Sequence, residues 1–165
     1  MRKISADYIF PISSPPIKNG VVVVDDEGII LEVAGHKSHA AGDIEHHHGV
    51  IVPGFVNTHC HLELSHLKGQ VTERKGITGF ISELVSKRGA FSPEQIKLSI
   101  ESAEDEMIRN GIVAVGDISN TDYSFDQKKK GKIAYHTFLE VYIEWHHKEQ
   151  IQHNEKTQNA REVFY

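Results

Sequence analysis

Two histidines two positions apart, His59 and His61, follow a nearly continuous apolar run at residues 49–58. Their type and spacing suit a metal ion. In an extended strand alternate side chains point to the same face. At ~3.3 Å rise per residue, their Cα atoms would lie ~6.6 Å apart, so the two imidazoles can converge on one cation. Cys60, between them, then points to the opposite side and is a poor third ligand. A catalytic zinc takes three protein ligands and keeps a position for water, so the pair alone is incomplete. With 12 histidines in 165 residues, chance pairs are expected, and His46-His47-His48 is an example. The context sets His59 and His61 apart, because α/β sites are built at the C-terminal ends of strands.

The elements that must position the pair are legible from pattern. The run at 49–58 predicts a parallel strand buried on both faces. Ser92-Pro93-Glu94-Gln95 offers an N-cap, a proline for the first helical position and the glutamine of a capping box. Ile96, Ile100, Ala103 and Met107 then recur on one helical face, and Asn110-Gly111 ends the helix. A second buried strand follows at 112–115, closing at Gly116-Asp117, and a third spans 133–141. A short helix is expected at 80–85 and a polar one at 145–165. Strands alternating with helices predict a parallel sheet with right-handed crossovers, an α/β fold. Residues 1–50 read differently, as short strands. The runs at 17–24 and 29–33 flank Asp25-Asp26-Glu27-Gly28, a hairpin signal. Pro11, Pro15 and Pro16 mark a loop or an edge before it.

The stretch Val52-Pro53-Gly54-Phe55-Val56-Asn57-Thr58-His59-Cys60-His61-Leu62-Glu63-Leu64-Ser65 resembles the opening motif of the amidohydrolase superfamily. It is nearest the cytosine-deaminase and chlorohydrolase-like branch, which includes aminodeoxyfutalosine deaminases. The hairpin at 25–33 resembles the N-terminal part of the small β-sandwich of these enzymes. Residues 111–117 resemble barrel strand two, and Phe138-Leu139-Glu140-Val141 resembles strand three. The resemblance implies that residues 1–50 are the N-terminal half of a composite β-sandwich. It implies that residues 51–165 begin a (β/α)8 TIM-type barrel, with about three of its eight strands.

The chemistry implied by the resemblance is metal-dependent hydrolysis. His59 and His61 would be the first two ligands of a divalent ion, zinc or iron, both of which suit imidazole. The ion lowers the pKa of a water, giving a hydroxide that attacks an amidine or halogenated ring carbon, while an acid shuttles protons. The small-molecule substrate would be a nucleoside or heterocycle. In the family the other ligands are a His on strand five, a His on strand six and an Asp on strand eight. The proton-shuttling Glu follows the strand-five His. None of these positions falls in this sequence. His136, His146, His147 and His153 lie on or just after the third strand and do not replace them.

A barrel of this type needs roughly 250 residues, so the chain is expected to be an N-terminal fragment of a hydrolytic deaminase or related C–N hydrolase, inactive alone. The alternatives are a truncated, non-catalytic half-barrel and a small metal-binding or interaction module. Three parallel strands would leave an open apolar edge. Such an edge calls for a homodimer or for another chain supplying the rest.

Other residues have weaker claims. Glu63 and His66, on the first loop after a barrel strand, are candidates for substrate contact or simply an exposed loop. Glu140, ending strand three, would be a substrate contact or part of a structural ion pair. Asp117 suits loop bonding better than substrate binding. Cys60 reads as a small buried hydrophobe rather than a nucleophile. His46-His47-His48 reads as a surface stretch in the linker between sheet and barrel, with metal affinity the lesser alternative. Lys128-Lys129-Lys130 reads as a solvated turn. Phe138, Tyr142 and Trp145 read as core or interface aromatics. Gly76, Gly79 and Gly89 do not form a phosphate loop.

Composition sets the outer bounds. Charged residues make up 25% and hydrophobic ones 39%, ordinary for a globular chain. The formal charge of −5 argues against a general nucleic-acid binder. No apolar run approaches the ~18 residues that a membrane span needs. The single cysteine cannot form an internal disulfide, so a reducing cytoplasm is the expected setting.

Overall fold

The computed structural model describes residues 1–35 and 44–141, and the structural statements below concern these. The helix expected at 145–165, with Tyr142, Trp145, His146, His147 and His153, lies outside them.

Two sheets divide the described chain. The first holds β1 (Arg2–Ile9), β2 (Ile17–Lys18), β3 (Gly20–Val24), β4 (Ile30–Gly35) and β5 (Ile44–Ile51). β1 pairs antiparallel with β2 and β3, and parallel with β5. The β3–β4 hairpin forms where Asp and Gly cluster. Asp25 Oδ1 accepts the N–H groups of Glu27 and Ile29, at 3.0 and 2.8 Å. Gly28 takes a φ of +86°, which side chains resist. Ala6, Ile9, Val21, Val22 and Val23 are buried in this sheet.

The second sheet is all parallel, in the order β6 (Phe55–Cys60), β7 (Ile112–Ser119), β8 (Ala134–Leu139). Between β6 and β7 come a 3-10 turn at Leu62–Leu67, then α1 (Gly76–Lys87) and α2 (Pro93–Arg109). A short α3 (Phe125–Lys128) joins β7 to β8. α2 starts as its sequence dictates. Ser92 Oγ accepts the Gln95 N–H at 3.3 Å, and Gln95 Oε1 accepts the Ser92 N–H at 2.8 Å. Its inner face packs Ile96 and Ile100 on Leu62, with Ala103, Met107, Cys60, Phe91 and Tyr135 around them. No helix among the described residues is long and apolar enough to cross a membrane.

Several expectations need correction. The run at 49–58 is two strands, not one. β5 ends at Ile51, and β6 begins at Phe55 after Pro53, which has no N–H to donate. Nor is the run buried on both faces, since Phe55 and Val56 are 57% and 60% exposed. β7 alternates burial rather than being buried throughout. His46-His47-His48 is not a linker but the middle of β5. The helix expected at 80–85 is a longer one, α1, which also takes in Gly76 and Gly79. The sequence reading missed the 3-10 turn and α3, which are too short for periodicity to reveal.

Candidate active site

His59 and His61 come together. Their ring centres are 5.3 Å apart, with planes inclined at 66°. His59 lies near the end of β6 and is exposed; His61 is half-buried, at the start of the 3-10 turn. The pairing of β6 with β7 is irregular between Asn57 and Cys60. There the Asn57 side chain accepts the His59 N–H at 3.2 Å, satisfying a group that the ladder leaves out. The asparagine of the motif thus has a local task that spacing alone did not reveal.

Three buried groups hold the chain just after His61. Leu62 is 1% exposed and plugs into the α2 face. Its N–H donates to Asp117 Oδ1 at 2.8 Å. Asp117 Oδ2 meets Lys128 Nζ at 2.5 Å, and Lys128 also donates to Thr137 Oγ1 at 3.0 Å. Asp117 therefore bonds the turn, as its position suggested. Lys128, by contrast, is no member of a solvated turn. Its side chain is 9% exposed, because the Asp117 carboxylate and the rings of Phe125 and Tyr135 surround it. Lys129 and Lys130 do sit outside, paired with Asp126 and Glu101.

Glu63 is buried, not on an exposed loop. Its carboxylate accepts the Thr121 N–H at 2.6 Å and the Asn120 N–H at 3.1 Å, with the hydroxyls of Thr121 and Ser119 also donating. It thereby ties the turn after β6 to the loop after β7. Asn120 Nδ2 in turn donates to Glu140 Oε2 at 3.0 Å, so Glu140 stands at the same end of the sheet. His66 is buried against the Phe91 ring, centres 5.0 Å apart, and faces a cleft of about 890 Å³ that His61 also lines. Cys60 packs against the cluster of Leu62, Ile96 and Ile100. Burial and the nearby Asp117 carboxylate push its thiol up to about 11, which suits a packing role. His136 sits on β8 with its ring against Phe138.

The donor set fits a divalent ion. With Zn–N bonds of ~2.1 Å, two imidazoles on one tetrahedral ion place their ring centres roughly 5 Å apart. His61 Nδ1 is buried and has no hydrogen-bond partner among the described residues. No third His, Cys, Asp or Glu among the described residues completes a three-ligand group at this pair.

A strand-end histidine pair on a parallel α/β sheet defines a class, and comparison with known proteins identifies it. Residues 50–161 match the Amidohydrolase family, and the chain belongs to that family. It is 30% identical over 105 residues to a 5-methylthioadenosine/S-adenosylhomocysteine deaminase of Natronomonas pharaonis, a match covering 62% of this chain and 24% of that protein. A 5'-deoxyadenosine deaminase of Methanosarcina barkeri is 30% identical over 104 residues, 62% of this chain and 24% of its own. Among solved structures, Helicobacter pylori aminofutalosine deaminase superimposes with a TM-score of 0.76 at 21% identity, over 99% of this chain and 40% of that one. The zinc complex of atrazine chlorohydrolase from Arthrobacter aurescens gives 0.66 at 17% identity, over 84% and 35%. These likenesses show the fold. The chain spans about a quarter of the length of the curated relatives it matches.

Proposed function

We propose that this chain is the N-terminal portion of a metal-dependent amidohydrolase, a hydrolytic deaminase acting on a nucleoside or related heterocycle. The observation that carries the reading is the convergence of His59 and His61 at the end of β6, in a chain of the Amidohydrolase family. The substrate class is taken from relatives named for deamination of adenosine derivatives. In this reading residues 1–50 are part of a β-sandwich, and residues 51–165 open a (β/α)8 barrel.

His59 and His61 would hold a divalent ion, with zinc favoured because two of the similar solved structures carry it. When bound, such an ion acidifies a water for attack on the carbon bearing the leaving amine. The residues of this chain supply its positioning. Asn57 fixes the His59 backbone, while Asp117 and Glu63 fix the turn that follows His61. Glu63 therefore serves as a positioning group, and its carboxylate is already taken by its own chain. His66 and Glu140 remain candidate substrate contacts at this end of the sheet. The other ligands and the proton shuttle belong to residues beyond the described ones.

A second reading, metal binding without turnover, draws on the two-ligand count at the pair. One experiment separates the two. The chain is stripped with chelator, reloaded with Zn2+ or Fe2+, and assayed for bound metal and for ammonia release from 5'-deoxyadenosine. Metal bound at this pair and lost in a His59→Gln/His61→Gln double variant supports ligation; equal binding by that variant refutes it. Ammonia release that depends on the pair would establish turnover by this chain, and bound metal without release would favour the second reading.

A further inference from the structure

The histidine run in β5 has a chemistry of its own. β5 pairs parallel with β1 as Ser5 with His46 and Ala6 with His47, but the next pair is Tyr8 with Val50. Two residues, His48 and Gly49, thus oppose the single Asp7. This bulge re-aims the side chains around it. Gly49 takes a φ of +115° and its N–H donates to Asp7 Oδ2 at 2.8 Å. The other carboxylate oxygen, Oδ1, then lies 3.6 Å from His46 Nε2 and 3.7 Å from His48 Nδ1. The two rings meet edge to face, with centres 5.5 Å apart.

We propose that Asp7, His46 and His48 form a binding site for a divalent transition-metal ion, separate from His59 and His61. The three donor atoms all lie within 4.8 Å of one another. Gaps of 3.6–3.7 Å are longer than an N–H···O hydrogen bond. They are close to the roughly 3.4 Å between neighbouring ligands on a tetrahedral ion with bonds of ~2.1 Å. Two imidazoles and one carboxylate are a donor set that first-row ions such as Zn2+ favour. The Gly49 N–H orients the carboxylate from behind, as supporting hydrogen bonds do at metal centres. His47 is excluded, since strand alternation sends it to the opposite face.

The carboxylate separates this arrangement from a bare run of histidines. It comes from a different strand, and the bulge opposite it needs a glycine, Gly49. With ligands on β1 and β5, the ion would staple the two strands together. β5 is the strand that leads, through Pro53 and Gly54, into β6 and the histidine pair. His48 is 93% exposed, so a fourth position is open to water.

The test uses the whole chain, freed of metal by chelation and titrated with Zn2+ at pH 7.5, with bound metal counted after equilibrium dialysis. Asp7→Asn, His46→Gln and His48→Gln are each expected to weaken one equivalent of Zn2+ at least tenfold. His47→Gln and the His59→Gln/His61→Gln double variant are expected to retain that equivalent, so failure of this site is distinguishable from failure of the other. Binding by Asp7→Asn equal to that of the parent, or a loss in His47→Gln as large as in His48→Gln, overturns the proposal. A second measurement needs no variant. Substoichiometric Cu2+ should broaden the NMR signals of His46 and His48 before those of His47, and equal broadening of all three overturns it.

Discussion

Asp117 and Lys128 form an ion pair of 2.5 Å that is almost wholly withdrawn from water, the lysine side chain 9% exposed and the aspartate not at all. Through its partners the pair reaches every strand of the parallel sheet. Asp117 belongs to β7 and bonds the turn after β6; Lys128 ends α3 and bonds Thr137 on β8. It is a tie across the end of the sheet where the candidate metal ligands stand.

The costs of removing the two members should therefore not add. Lys128→Met leaves a buried carboxylate uncompensated, which costs about 3–5 kcal/mol. Asp117→Asn strands the ammonium. The double variant leaves neither charge, and its loss should fall well short of the sum. Urea midpoints of the four proteins, followed by circular dichroism, give the coupling. Additive losses would show that the two residues stabilise the sheet independently.

Cys60 should behave as an inert thiol. Burial first, and the Asp117 carboxylate second, raise its pKa to about 11 from an ordinary 9.0. The folded state thus favours the protonated form. The contribution is fully present below the unfolded pKa and is lost as pH rises from about 9 through about 11. Near pH 7 only about one molecule in 10⁴ would carry the reactive thiolate. The rate of alkylation by iodoacetamide should still be climbing at pH 10 in the folded chain, and should level off near pH 9 in urea. A plateau near 9 in the folded chain would contradict the assignment.

What could be read from sequence divides along the range of the interactions. The α2 start and stop and the β3–β4 turn depend on residues within about four positions of each other. Ser92, Gln95, Asp25 and Gly111 announce them. The histidine pair was legible for the same reason, since i and i+2 on a strand is a local relation. Lys128 was misread because its partner is 11 positions upstream on another element, and nothing near it in the chain marks a lysine for burial. The burial of Glu63, read as a substrate contact or an exposed loop, is not legible locally because its donors, at 119–121, come from a strand end more than fifty residues on. The exposure of Phe55 and Val56 could not be read from an apolar run, which reports what a strand can bury and not what covers it.

Glu63→Gln tests the tie between the first two strands. The carboxylate accepts from two backbone N–H groups and two hydroxyls. The amide keeps the shape but turns an NH2 toward donors. A buried donor left without an acceptor costs about 1–3 kcal/mol. The loss should be concentrated locally, so amide exchange at Asn120 and Thr121 should quicken more than at residues of α2. Unchanged exchange at 120 and 121 would mean that the loop is held without Glu63.

Gly54 precedes β6 where its backbone comes close to β7. A methyl group built there would lie 2.3 and 2.6 Å from the two γ carbons of Val113 and 3.0 Å from its Cβ. With both γ carbons and the Cβ in the way, rotation of the valine about χ1 cannot clear the contact, and a β-branched side chain has few other choices. Gly54→Ala should therefore force β6 and β7 apart, costing ~1–3 kcal/mol as an overpacked contact does. The displaced segment leads straight to His59, so Zn2+ binding at the histidine pair should weaken with it. Val113→Ala removes both γ carbons at an exposed position, and should return most of the loss when combined with Gly54→Ala. The four urea midpoints decide the matter. If Val113→Ala restores nothing, the loss does not arise from the approach to Val113.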